Sequence, residues 1–329
     1  MHGPAISLAG HRISTPSADA LTRGHVRYAP VKSLWFLAML SGALIGGPMT
    51  FSGSAFALFL VSTGFVLLFG HSLGSHRKLV HDSFQCPRWL EHFLVYCGVQ
   101  VGIAGPIGLL HQHELRDFAQ RLPRCHDFLR HGRSAWVDAW WQLHCELVLD
   151  CPPQIRIEPR ILDDRFYRFL ERTWMAQHLP WAVLLFLAGG WGFLFWGLCA
   201  RVTAGVFGHW MIGFLAHNHG AIEREVRGAA VQGRNVRYVS LVTMGECWHN
   251  NHHAYPGSAR LGLRSDEWDP GWWVLVALRR VGLAWDLRLP EDLPFRAELV
   301  PAARVLPDKP GHRLHCQTAQ PGGSHARVG

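Results

Sequence analysis

The sequence holds eight cysteines but no Cys-x-x-Cys pair, which argues against a zinc ribbon or a dithiol redox motif. Scattered thiols at Cys86, Cys97, Cys125, Cys145, Cys151, Cys199, Cys247 and Cys316 fit a reducing compartment. Before Pro30 there is no compact apolar stretch leading to a small-residue cleavage site, so no signal peptide is expected. A recognisable nucleic-acid module is also missing, and no nucleic-acid partner is expected. No Gly-x-Gly-x-x-Gly run opens a helix after a strand, so no fused carrier of electrons is expected. No internal repeat is present. Acidic residues are few, 24 against 32 Lys and Arg, and the resulting net charge of +8 suits anionic lipid or an acidic substrate.

What is abundant is apolar. Hydrophobic residues make up 49% of the chain while mean hydropathy is only +0.06, as for a membrane protein with a large water-facing part. Fifteen tryptophans fit rings seated at a membrane interface. Two apolar runs starting at Val31 and Gly53 read as one transmembrane hairpin. Two more, from Leu179 and from Val202, read as a second hairpin with Arg201 at its turn. A fifth run from Trp89 contains Glu91, His92 and Gln100 and breaks at Gly105-Pro106, which suggests an interfacial or re-entrant helix. Arg12, Arg23, Arg27 and Lys32 precede the first span, and Arg77, Lys78, Arg116, Arg121, Arg124 and Arg130 follow the second. The positive-inside rule puts both regions in the cytoplasm. The expectation is an all-α integral membrane protein of a bacterial inner membrane, with four transmembrane helices in two hairpins, an interfacial helix and a helical cytosolic cap. Residues 1–30 read as a cytosolic N-terminal segment, 31–300 as the membrane domain with its cap, and 301–329 as a disordered tail rich in Pro, Gly and Arg.

The 22 histidines are clustered. In "GECWHNNHHAYP", His249, His252 and His253 stand at i, i+3 and i+4, one face of a helix, so their imidazoles could converge on a single metal ion. In "GSHRKLVHDSF", His76 and His81 are five apart, a spacing a straight helix would splay unless it ends there. The segment "LLHQHELRDFAQRLPRCHDFLRHG" adds His111, His113, Asp117, His126 and His131, with His113 and Asp117 on one helix face.

Over roughly Val31 to Trp285, "HRKLVH" followed after the later spans by "GECWHNNHHAYP" resembles the membrane fatty-acyl desaturase family, acyl-CoA type. That resemblance implies two non-haem iron ions which, with dioxygen, remove two hydrogens from adjacent methylenes of a long fatty acyl chain held as acyl-CoA or acyl lipid. Matched residue by residue, it implies His76 and His81 in the first histidine box and His249, His252 and His253 in the third. The second box departs: where the family has two adjacent histidines this chain has Arg116 and Asp117, leaving His113 with Asp117 as an oxygen ligand, since Arg116 cannot coordinate. On the last span His217 is kept, but Gly213 stands where the family has Asn. His126, His131 and His209 are further candidate ligands. Electrons would come from a separate donor, a ferredoxin or a b-type cytochrome with its reductase. Two alternatives stay open: a related membrane di-iron hydroxylase, and a non-enzymatic membrane haem or metal-transport protein, whose histidines should face one another inside the spans.

Overall fold

The computed structural model describes residues 6–8 and 10–302. The helices that place the site are, in chain order, α1 (Pro30–Met49), α2 (Gly53–Val80), α3 (Arg88–Val99), α4 (Pro106–Arg121), α5 (Ala135–His144), α6 (Arg165–Thr173), α7 (Ala176–Asn218), α8 (His249–Ala254) and α9 (Pro270–Arg280). Among them α1, α2 and α7 are long and apolar enough to cross a membrane. At most 22% of the most apolar window of each is buried, so most of that surface is left for lipid.

The 43 residues of α7 are not one straight helix. Gly189 (φ −158°, ψ 20°) and Gly190 (φ 63°, ψ −152°) leave helical geometry and fold the run back on itself. Gly190 adopts a positive φ that a side chain would resist. The turn expected at Arg201 is therefore displaced to the glycine pair. Arg201 instead lies buried inside the helix, donating to Gly197 O at 2.8 Å and to Gln100 O. Backbone carbonyls satisfy its guanidinium, so its charge no longer marks a water-facing turn.

The fifth apolar run is two helices rather than one. α3 ends at Val99, and Gly105-Pro106 does not interrupt a helix but opens α4, with Pro at its first position. α3 lies against α2 at Gly70 and Gly74. A Cβ there would sit 2.3 Å from the Cys97 backbone and 2.1 Å from Leu94 O, so only glycine permits this approach.

The cap is not purely helical. β1 (Ile6–Ser7), β2 (Ile13–Thr15) and β5 (Gln154–Ile155) form one small antiparallel sheet, β3 (Gly24–Tyr28) pairs with β4 (Cys145–Leu149), and β6 (Arg224–Val226) with β7 (Leu299–Pro301). Strands this short show no clear alternation in sequence. The N-terminal segment packs into the cap core, where Ile13 and Leu21 meet Phe118, Leu122 and Phe128. The first residue of the expected tail, Pro301, is in β7; residues 303–329 lie outside the described residues.

Candidate metal centre

α2 carries the first histidines to the cap. Its last fifteen residues, Val66–Val80, have the wide π-helical winding, and the His81 N–H donates to His76 O at 3.1 Å. Bonding from i+5 to i overlays residues five apart. The His76 and His81 rings are thus 4.8 Å apart, on a helix that also ends at His81. Ending the helix is half of the solution and widening it is the other half.

α8 has only six residues and could not hold its shape alone. The two asparagines inside the motif fix it. Asn250 accepts from the backbone N–H of Glu223 and Arg224 and donates to Arg224 O and Gly233 O, and Asn251 donates to Leu261 O and Glu267. Asn235 accepts from the Asn250 N–H.

On this helix the three imidazoles do not converge on one point. His252 turns toward His76, His81 and His113, and the ligand nitrogens of these four lie within 4.8 Å of one another. His249 and His253 form a second group with His217 from the end of α7. The divergence is one of angle: at about 100° per residue His253 lies about 40° to one side of His249 and His252 about 60° to the other, so the two can face different neighbours.

Beside the first group stands the Asp117 carboxylate, with Oδ2 3.3 Å from His113 Nδ1 and 3.5 Å from His252 Nε2. Burial pushes its carboxyl up, but His113 and His252 outweigh that and hold it well below the usual carboxylate range. Burial holds His81 well below the ordinary imidazole value and lowers His113 as well, so these rings are neutral with a lone pair to offer. His81 Nε2 and His252 Nδ1 are buried without a hydrogen-bond partner, a costly state unless a cation takes the lone pairs.

The second group makes the same point through crowding. His217 Nδ1 donates to Gly213 O at 2.6 Å, which leaves Nε2 as its lone-pair atom. His249 Nε2 lies 3.1 Å from that nitrogen and 3.0 Å from His253 Nε2. Burial keeps His249 and His253 neutral. A neutral ring nitrogen is either donor or acceptor, so His249 Nε2 cannot bond both neighbours normally. A shared metal ion resolves the conflict, and both groups therefore fit a metal.

Other expected ligands fall elsewhere. His126 is apart from both groups: its Nδ1 accepts from Phe128 N and caps a short turn of helix. His131 stacks on His217 at 5.3 Å, but its nitrogens are engaged by Asp138 and Arg116. His209 pairs with His71 at 4.9 Å and joins neither group.

Two residues with clear roles were not foreseen. Glu246 Oε2 is 2.6 Å from His76 Nδ1, and its Oε1 accepts from Ser72 Oγ at 2.7 Å. Gln120 Oε1 is 3.0 Å from His217 Nε2, so with that nitrogen a lone-pair atom two acceptors face each other there, a contact that a cation between them would relieve. Glu246 stands inside the third histidine motif, and the need of a metal-binding imidazole for a carboxylate partner is the signal that could have found it. Gln120 has no comparable signal.

No protein-family model matches the chain. It is 34% identical over 245 residues to an sn-1 stearoyl-lipid 9-desaturase of Synechocystis sp., 73% of this chain and 72% of that one. It is 32% identical over 263 residues to an sn-1 stearoyl-lipid 9-desaturase of Anabaena variabilis, 79% of this chain and 93% of the relative. An acyl-CoA 5-desaturase of Anemone leveillei is 29% identical over 292 residues, 85% of this chain and 89% of that protein. These likenesses favour neither the hydroxylase nor the haem or metal-transport alternative. With relatives matched along most of their length, and the histidines of the boxes gathered into two buried groups, the chain belongs to the membrane fatty acyl desaturase family and is an oxidoreductase.

Proposed function

We propose that this protein introduces a double bond into a long-chain fatty acyl group carried on a lipid or on CoA, at a centre holding iron in both histidine groups. The observation that carries this reading is the four-plus-three set of buried and half-buried imidazoles at the end of long apolar helices. Iron bound there supplies one thing, the redox chemistry by which dioxygen, two electrons and two protons convert adjacent methylenes into an alkene and two waters. His76, His81, His113 and His252 with Asp117 would hold one ion, and His217, His249 and His253 the other. Asp117 offsets part of the metal charge, and Glu246 orients His76. Each apolar pair of helices ends in the cap, so an acyl tail can stay in hydrocarbon while its oxidisable carbons reach the histidines.

The Gly189-Gly190 fold-back supports four membrane crossings, α1, α2 and the two limbs of α7, with the cap on one side. Basic residues flanking these crossings support a cytoplasmic cap in a bacterial inner membrane. Arg165, Arg168 and Arg172 line one exposed groove of α6 with Phe169, beside the start of α7. That combination suits a phosphate-bearing head group next to acyl chain. Electrons come from a separate protein donor of the ferredoxin or b-type cytochrome kind.

The test is to express the chain in a host without desaturases, together with a donor, and analyse lipid extracts by mass spectrometry. New mono-unsaturated acyl chains are expected, and His252→Ala should abolish them while membrane insertion is unchanged. Hydroxylated chains in place of alkenes would overturn the reaction, and full activity of His252→Ala would overturn the site.

A further inference from the structure

The two histidine groups differ in charge. The first holds four imidazoles, and the Asp117 carboxylate stands beside two of them, 3.3 Å from His113 and 3.5 Å from His252. The second holds three imidazoles and no carboxylate among the described residues. What stands beside it is a cation. Arg116, three residues along α4 from His113, donates to Gln142 Oε1 at 2.8 Å and to His131 Nε2. The His131 ring stacks on His217 at 5.3 Å and an interplanar angle of 19°, so a fixed positive charge lies one ring away from a ligand of the second group.

His131 itself is built like a metal-binding imidazole. Its Nδ1 is 2.8 Å from Asp138, and Asp138 is fixed in turn by the Trp210 indole N–H at 2.9 Å. A carboxylate on one ring nitrogen turns the other, Nε2, outward as a ligand. That nitrogen lies 3.4 Å from where a Cβ on Gly213 would stand, on the helix turn before His217. Arg116 occupies its lone pair. The guanidinium thus acts twice on the second group, by repelling a cation and by consuming the imidazole that would be its fourth ligand. Asp138 offsets only part of this, because it sits on the far side of the His131 ring.

We infer that the two groups bind divalent metal unequally, the Asp117-bearing group tightly and the His217, His249 and His253 group weakly, and that Arg116 sets the difference. This rests on both groups being metal sites, the reading given above. A charged guanidinium cannot be a ligand at any accessible pH, so the second group remains a three-imidazole site as long as Arg116 holds His131.

The experiment uses the full chain in detergent, stripped with a chelator and titrated with Co²⁺, followed by visible absorption and by metal content after dialysis. Wild type should take up one equivalent before the second, with dissociation constants at least tenfold apart. His81→Ala should remove the tight equivalent, and His253→Ala the weak one. Arg116→Met, which removes charge and donors at similar length, should tighten the second equivalent by tenfold or more, and Arg116→Met with His131→Ala should lose much of that gain. Two indistinguishable equivalents in wild type would overturn the inference without any variant, and so would a second equivalent unchanged in a folded Arg116→Met or Arg116→Gln. If no Co²⁺ binds at all, the metal-centre reading fails along with it; two equal equivalents sink the inequality alone.

Discussion

Glu246 and His76 meet across the centre, Oε2 to Nδ1 at 2.6 Å, although 170 positions separate them in the chain. The contact joins the first histidine motif to the third and sets a carboxylate against one nitrogen of His76. Ser72, one helical turn before His76, holds the other carboxylate oxygen at 2.7 Å.

Removing the Glu246 charge should therefore weaken the centre without deleting a ligand. Glu246→Gln keeps the shape but turns a strong acceptor into a weak one. Metal affinity or turnover should fall by roughly 10–100-fold, the usual cost of losing such a partner. Wild-type metal content and turnover in the purified variant would show that His76 needs no carboxylate.

Arg77, next to His76, is 1% exposed and pairs with Asp269 at 2.7 Å. Asp269 also caps α9 by accepting from Trp272 N, and it accepts from the N–H groups of Leu261 and Gly262. Asp269→Ala would leave the buried guanidinium with only Glu246, 3.9 Å away, and strip α9 of its cap, a change worth about 3–5 kcal/mol of destabilisation. A thermal melt in detergent should show a large downward shift. A melt within a degree or two of wild type would refute this pairing as a structural support.

Cysteine reactivity gives a readout of both burial and sidedness. Burial pushes the thiols of Cys97 and Cys247 up to about 12 and those of Cys86 and Cys125 up to about 11. At pH 8 a thiol of pKa near 11 is about one-thousandth thiolate, and the thiolate is the reacting form. Cys151 is exposed, in the cap between β4 and β5. In a Cys316→Ser background, iodoacetamide should modify Cys151 first by a wide margin. In intact cells a membrane-impermeant maleimide should miss it, and labelling from outside would put the cap on the wrong face of the membrane.

The histidines that gather were legible because their residue type and spacing carry the chemistry: His76, His81, His113, His217 and the third-motif histidines are all in the two groups. Which imidazole joins which group was not legible, because that depends on how a six-residue helix is rotated by Asn235, Asn250 and Asn251. The widened winding that brings His76 to His81 leaves no mark in residue type. Arg201 misled for a physical reason: a charge in an apolar run reads as a turn, while here carbonyls satisfy it inside a helix and the glycine pair makes the turn. The small strands of the cap are too short to alternate visibly.

Asp117 is the residue through which this chain's second motif is best tested. Its Oδ2 lies 3.3 Å from His113 and 3.5 Å from His252, the positions from which a carboxylate oxygen can join the first group. Its carboxyl is held well below the usual carboxylate range, so at neutral pH it brings a full negative charge to the four histidines. Asp117→Asn keeps the size and one oxygen but removes that charge. Amide oxygen is a poor ligand for a transition metal, and the four imidazoles would then hold a divalent ion with no carboxylate beside them. The variant should lose the tight equivalent of metal and most turnover, whereas Asp117→His, which offers an imidazole in its place, should retain more metal than Asp117→Asn. Metal content equal to wild type in Asp117→Asn would mean that the four histidines suffice and that the carboxylate serves only to orient His113 and His252.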